Sequence, residues 1–434
     1  MYRIKERKST KPNDKVGNIK YNMFEQLFKC STLIQEMILM NSVYMDNNAT
    51  TSLKKEVLNA MMPYYTDIYG NASSKFYKIG RDAEQALYKL RESVAKSLNA
   101  KNVNEIYFTG SGCEADNWAI KGIALANKSK GNHIITSKIE HHAILSTCEY
   151  LEKHGFEVTY LDVDEYGFVS PKAVEDAIKD NTILISIMTA NNEIGTVEPI
   201  KEIAEIAKKH RVIFHTDAVQ AIGHMKIDLQ DLGVDLLSLS AHKFHGPKGV
   251  GMLYIRNGIR IDNLIHGGGQ ERGKRAATEN LAGIAGLAKA LELATENLDE
   301  NIEHAKKMRN RLIEGIRKNI PYCRLNGPED EGRLCNNVNF SFQYVEGESI
   351  LMMLDMKGVA ASSGSACASG SLDPSHVLIA IGLPHEIAHG SLRLSVGDET
   401  TVEDVDYVVE VLPPIIQRLR DMSPLYEGVE KGDN

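Results

Sequence analysis

From about residue 105 the chain alternates short apolar runs rich in β-branched residues with amphipathic stretches, the pattern of α/β units built on a parallel sheet. Runs at 105–109, 133–137, 158–161, 182–188, 212–216, 236–240 and 250–255 predict seven strands, enough for one large central sheet. In open sheets of this kind ligands sit beyond the carboxyl ends of the strands. Polar clusters fall there: 110–114, Glu140-His141-His142, Asn191-Asn192-Glu193, 217–220 and 240–243. Five strand ends therefore converge on one site.

Beyond the sheet, an amphipathic segment at 281–318 predicts helices leaving this domain. An alternating strand at 337–342, a helix at 348–356, a small-residue loop at 362–371, a short strand at 392–395 and a helix at 402–421 follow. This reads as a large domain over 43–300 and a smaller α+β domain over 301–434. Residues 1–42 differ from both. Their first 20 are rich in lysine and arginine without apolar periodicity, and 23–40 has apolar residues at roughly helical spacing. The compact apolar region and cleavage site of a secretory signal are missing, and the acidic Glu6, Asp14, Glu25 and Glu36 speak against a transit peptide. The expectation is a disordered or loosely attached extension, or a start codon placed too early, with Met40 as the candidate native start.

Composition narrows the class. A chain of 434 residues can bury a large core plus a second, smaller one. Fifty basic against 58 acidic residues, a net charge of -8, argue against a nucleic-acid or membrane-surface binder. No apolar run approaches the about 20 residues needed to cross a bilayer. Cys30, Cys113, Cys148, Cys323, Cys335 and Cys367 form no CxxC pair, so neither a disulfide framework nor a metal site is indicated. A cytoplasmic protein with reduced thiols is expected.

The chemistry concentrates in Ser240-Ala241-His242-Lys243-Phe244-His245-Gly246, which sets a lysine just past an apolar strand. Asp217 ends another apolar run, Val212-Ile213-Phe214-His215-Thr216. An amine that forms an imine and a carboxylate that keeps a pyridine nitrogen protonated are what pyridoxal 5'-phosphate requires. Gly110-Ser111-Gly112-Cys113-Glu114-Ala115 follows a strand and opens a helix, so backbone N–H groups there suit a phosphate. Its GxGxxA spacing also fits a dinucleotide fingerprint, although the next strand closes in Thr136-Ser137-Lys138 and lacks the confirming acid. Alone, His141 reads as a surface helix cap, Asp217 as another cap and Lys243 as a solvated lysine. Together at neighbouring strand ends, with Gln220 one turn beyond Asp217, those readings weaken. Cys367, flanked by Gly364-Ser365-Ala366 and Ala368-Ser369-Gly370, predicts an exposed, mobile thiol. Arg393, in Leu392-Arg393-Leu394-Ser395, offers a planar donor fork to a substrate carboxylate, or else a surface ion pair.

From Val43 to Glu427 these residues resemble the NifS/IscS-type cysteine desulfurases, pyridoxal-phosphate enzymes of the class V aminotransferase group. The likeness rests on Tyr44-Met45-Asp46-Asn47-Asn48-Ala49-Thr50-Thr51, Tyr69-Gly70-Asn71-Ala72-Ser73-Ser74, Glu140-His141-His142-Ala143, Asn191-Asn192-Glu193-Ile194-Gly195, His215-Thr216-Asp217-Ala218-Val219-Gln220, the lysine segment and the Cys367 loop. The resemblance implies the fold-type I architecture of pyridoxal-phosphate transferases. It implies that Lys243 holds the cofactor as a Schiff base and moves the substrate Cα proton, and that Asp217 pairs with the pyridine nitrogen. His141 would stack on the ring, and Asn192 and Gln220 would contact its hydroxyl. Gly112, Cys113, Ser240 and His242 would hold the phosphate, with Thr278 reaching the phosphate of a neighbouring subunit in a homodimer. Arg393 and Asn192 would hold the carboxylate of L-cysteine, and Cys367 would accept the sulfur as a persulfide. The implied products are L-alanine and sulfur for Fe–S cluster assembly, through a scaffold or other acceptor protein, or for tRNA thiolation. Another class V enzyme, a selenocysteine lyase or an aminotransferase, is the alternative. Cys113 departs from the threonine common in the family, exchanging a hydroxyl donor for a weaker thiol.

Overall fold

The computed structural model describes residues 42–329, 331–363 and 374–426. Seven strands, β1 (Ile106–Thr109), β2 (His133–Ser137), β3 (Glu157–Leu161), β4 (Thr182–Ser186), β5 (Ile213–Asp217), β6 (Leu236–Ser240) and β7 (Gly251–Ile255), form one sheet in the order β1-β7-β6-β5-β4-β2-β3. Strands β2 to β6 pair in parallel. β7 runs antiparallel to both of its neighbours, β1 and β6. Six strands therefore end on the same edge, at Thr109, Ser137, Leu161, Ser186, Asp217 and Ser240. The predicted runs each contain most of their strand, with one shift that matters: Asp217 is the last residue of β5 rather than the first beyond it.

Side-chain alternation sorts the sheet into two cores, as a strand's period of two requires. Ile134, Leu184, Leu236 and Leu253 pack with Trp118, Ile144 and Cys148. The intervening Ile135, Ile185, Leu237 and Met252 pack with Ile203, Leu287 and Leu291 on the opposite face. Each such side chain, fully buried, contributes ~1.5–3 kcal/mol, and this double covering is why the strands read as continuous apolar runs rather than as alternating ones. The covering helices are α1 (Lys78–Ser97), α2 (Gly112–Asn127), α3 (His142–Glu152), α4 (Ile200–His210) and α5 (Leu281–Glu296). Helix α2 starts where it does because Ser111 caps it, its Oγ accepting from the Glu114 N–H at 3.1 Å.

Further along, α6 (Leu298–Asn319) leads to an antiparallel sheet of β8 (Cys323–Leu325), β9 (Asn337–Phe342) and β10 (Ser391–Ser395), with β9 in the middle. The helices α7 (Gly347–Asp355) and α8 (Val402–Asp421) accompany it. Alternation along β9 suggests one wet face, yet all six of its residues are buried. The polar face is covered by the 191–195 turn: Asn337 and Asn339 both donate through Nδ2 to the Glu193 carbonyl at 3.0 Å. Residues from Tyr44 onward pack as one compact unit. The expected extension lies outside the described residues up to Asn41, and so does the loop carrying Cys367.

Candidate active site

Beyond the shared strand edge, the short segment Asp46-Asn47-Asn48-Ala49-Thr50-Thr51 stitches the predicted residues together. Lys243 ends a 3-10 turn directly after β6. Its Nζ donates to the carbonyls of Asn48 at 2.5 Å and Ala49 at 3.0 Å. Gln220 Nε2 donates to the same Asn48 carbonyl at 2.9 Å. The Asn48 Nδ2 donates to the Asn192 carbonyl at 3.0 Å, which also receives Arg393 Nη1 at 3.0 Å. Arg393 Nη2 pairs with Asp46 Oδ1 at 2.9 Å. Thr50 Oγ1 meets His242 Nδ1 at 3.1 Å, and the His242 carbonyl accepts from Thr51. Main-chain carbonyls suit this task, because a lysine ammonium offers only donors.

Electrostatics single out the same group. Burial pushes the Asp217 carboxyl up to about 6, opposed by the Val219 N–H that Oδ1 accepts and by the Lys243 charge. His141 sits at the start of α3, where its Nδ1 accepts from the Ala143 N–H at 3.1 Å. An accepting Nδ1 places the proton of the neutral ring on Nε2. Burial and then the Lys243 charge push this imidazole down to about 4, so it is neutral near pH 7. Lys243 thus acts on both groups. Glu140, next in the chain and fully buried, accepts through Oε1 from Ser137 Oγ and from the Met188 N–H, and burial pushes it up to about 8.

The glycine turn closes the site. A Cβ on Gly112 would lie 2.9 Å from Val219 Cγ2 and 3.2 Å from Ser240 Cβ, so the backbone approaches here as only glycine allows. The Gly110 N–H donates to Glu114 Oε2 at 2.7 Å, and Arg275 Nε holds Glu114 Oε1 at 2.8 Å. The set fits a flat, phosphate-bearing aldehyde cofactor. It has an amine with a nearby buried carboxylate, a neutral imidazole and a helix N-terminus beside Ser240 and His242. Gln220 Oε1 and Arg393 Nε are buried and have no hydrogen-bond partner among the described residues.

Lys243, Asp217, Gln220, His141, Asn192, Ser240, Gly112 and His242 thus lie along the strand edge, and Arg393 reaches them from β10 through the Asn192 carbonyl. Cys113 is exposed at the second position of α2. Thr278 is exposed. Cys367 lies outside the described residues. Sequence reading did not single out Asn48, His224 or Asn336 as site residues. Asn48 meets Lys243 and Gln220 through its carbonyl, which every residue possesses, and its side-chain amide finds Asn192 and Asn336 only through folding. His224 and Asn336 join only through folding, and a lone histidine four residues after Gln220 carries no mark of its partner.

The family model described as Aminotransferase class-V matches residues 43–408. A protein named cysteine desulfurase IscS from Clostridium botulinum (strain Hall) is 63% identical over 390 residues, covering 90% of this chain and 98% of that one. One of the same name from Methanosarcina thermophila is 61% identical over 384 residues, covering 88% and 94%. Among solved structures, a NifS-like protein matches with a TM-score of 0.81 at 40% identity, covering 87% of this chain and all of that one. SspA in complex with cysteine matches with a TM-score of 0.74 at 37% identity, covering 83% of this chain and 100% of that one.

Proposed function

The chain belongs to the class V aminotransferase family, and from that membership we propose that it is a pyridoxal 5'-phosphate-dependent L-cysteine desulfurase that places the extracted sulfur on Cys367. The observation that carries the reading is the 63% identity to a cysteine desulfurase across 390 residues, which include Lys243, Asp217 and His141. When bound, the cofactor supplies an electron sink that stabilises negative charge at the substrate Cα.

The residues of the chain do the rest. Lys243 holds the cofactor and then moves the Cα proton; its resting hydrogen bonds to two carbonyls place Nζ on the side of the 46–51 segment. Asp217, with its buried carboxyl, stays ionised against a protonated pyridine nitrogen. Neutral His141 stacks on the ring and offers its Nε2–H as a hydrogen-bond donor, its Nδ1 being occupied by the Ala143 N–H. Gln220 Oε1 and Asn192 orient the ring hydroxyl. Gly112, Cys113, Ser240 and His242 bind the phosphate. Arg393 and Asn192 hold the cysteine carboxylate, with Arg393 Nε available for it. The Cys367 thiolate attacks the substrate sulfur, an S–S bond forms as the C–S bond breaks, and the carbon keeps the electron pair and gains a proton to give L-alanine. A thiol with a pKa of about 8.5 is only a few per cent ionised near pH 7, so positive charge or a proton acceptor near the Cys367 sulfur must raise the thiolate fraction.

Two further readings complete the proposal. The enzyme works as a homodimer in which Thr278 reaches the neighbouring phosphate, supported by the exposed Tyr65, Tyr69, Phe76, Tyr77 and Tyr88 between residues 65 and 88. The smaller domain is 301–434, and the persulfide passes in the cytoplasm to an Fe–S scaffold or another acceptor protein. No helix among the described residues is long and apolar enough to cross a membrane. The test is an assay that scores alanine and protein persulfide together, with and without a scaffold protein. One alanine per persulfide, both lost in Cys367→Ser while cofactor absorbance stays, is the expected result. Full turnover by Cys367→Ser would overturn the persulfide route.

A further inference from the structure

Behind Lys243, four residues from three separate parts of the chain close a ring of hydrogen bonds. The Asn48 carbonyl, already holding Lys243 Nζ, accepts Gln220 Nε2 at 2.9 Å. The Gln220 carbonyl lies 3.1 Å from His224 Nδ1. His224 Nε2 lies 2.9 Å from Asn336 Nδ2, and the same Nδ2 donates to Asn48 Oδ1 at 2.8 Å, which returns the circuit to its start. Asn336 is itself fixed to the end of β10, its carbonyl accepting from the Val396 N–H at 3.0 Å.

The ring has one allowed protonation pattern. A carbonyl only accepts, so His224 Nδ1 must carry a proton; an amide NH2 only donates, so Nε2 must be bare. His224 is therefore neutral, as the Nδ1–H tautomer. A proton on Nε2 would set two donors face to face. Burial pushes His224 down to about 4, with His245 adding to the effect and Asp398 opposing it. These two, with Lys54 and Lys243, are the charged groups that share a cavity wall with His224.

We propose that His224 and Asn336, neither of which touches the reacting atoms, are positioning residues for the reaction, acting through Asn48 and Gln220. The ring occupies the donor end of the Gln220 amide, so that its Oε1 is the end left for a ligand. It also fixes the height of the Asn48 carbonyl, and with it the resting place of Lys243 Nζ. Through Asn336 this setting is tied to the strand that carries Arg393. The proposal rests on the reading of Lys243 and Gln220 as cofactor contacts.

Nitrogen NMR of the holoenzyme labelled at histidine tests it directly. The expected result is a neutral His224 with the proton on Nδ1 and no titration between roughly pH 6 and 8, where an ordinary histidine changes charge. An Nε2–H tautomer, or an ordinary titration, would overturn the ring. A second arm titrates the visible absorbance of the bound cofactor against pH in Asn48→Ala, Asn336→Leu and the double variant. Each single change is expected to move the midpoint by about half a pH unit or more, and the double change no further than either one, since contacting residues in one network are not additive. Additive shifts, or none in folded variants with bound cofactor, would sink the proposal. If pyridoxal phosphate produced no absorbance even in the native protein, the cofactor reading would fall first and the positioning role with it.

Discussion

Lys243 is held by two carbonyls, close enough to Asp217 and His141 to act on the charge of both. Replacing it with alanine is expected to lower alanine formation by about 10²–10⁴-fold or more, the usual weight of a positioned proton-transfer group. The melting temperature should change little, because the side chain is only part-buried. His141 gives a pH prediction. Its imidazole is pushed down to about 4, so the rate profile should carry no inflection from it at the ordinary histidine value of about 6.5. An inflection there that disappears in His141→Gln would contradict the assignment. Glu140 gives another, in stability. Its carboxyl is pushed up to about 8, so the folded state keeps a proton that the unfolded chain releases above its ordinary, lower value. Stability from this group is therefore full in acid and is lost as pH rises from the unfolded value through about 8. Glu140→Gln cannot titrate, and its melting temperature should fall less than the native one between roughly pH 6 and 9. Equal falls would show that the carboxyl titrates elsewhere.

At the level of elements, the ends of five strands and the start of α2 do most of the placing. Gly112→Ala forces a methyl against Val219 and Ser240, and overpacking of this kind costs about 1–3 kcal/mol. Titration of the apoenzyme should show pyridoxal phosphate binding weakened by roughly ten-fold or more, the equivalent of that cost. A second placing device is the buried pair of Arg91 on α1 with Glu271. Their two bonds measure 2.7 and 2.6 Å, and Glu271 also accepts from the Phe108 N–H on β1. Arg91→Ala leaves a buried carboxylate alone and should cost about 3–5 kcal/mol in chemical denaturation. The sheet was legible in the sequence because each strand is covered on both faces and so reads as a compact β-branched run. Lys243 and Asp217 were legible because they stand at the ends of such runs. The 46–51 segment was not, since it has no periodicity and much of its work is done by main-chain carbonyls. β9 was legible as a strand but not as a buried one, because its asparagines pair with the Glu193 carbonyl, contributed by a turn more than 140 residues earlier.

For the whole molecule, the exposed aromatic residues of 65–88 are one apolar feature that a single chain leaves uncovered. Phe76 stands fully exposed at 101% and Tyr69 at 63%. In the homodimer proposed above, Phe76→Asp is expected to shift the mass toward monomer in sedimentation equilibrium and to lower activity with it; an unchanged mass would count against this face as a contact between subunits. A different consequence follows from the 46–51 segment. Its partners include Asn192, Gln220, His242 and Lys243 from the middle of the chain and Asn336, Arg393 and Ser395 from nearer its end, so the segment has its full set of partners only when most of the chain is present. A nascent chain emerges from the ribosome N-terminus first. It displays Lys243 long before the strand around Arg393 has been made. Until Asn336, Arg393 and Ser395 have been made, the segment that holds Lys243 lacks part of its hydrogen-bond set, so productive loading with the proposed cofactor is expected only when synthesis is almost finished. Loading would then report that translation ran to completion.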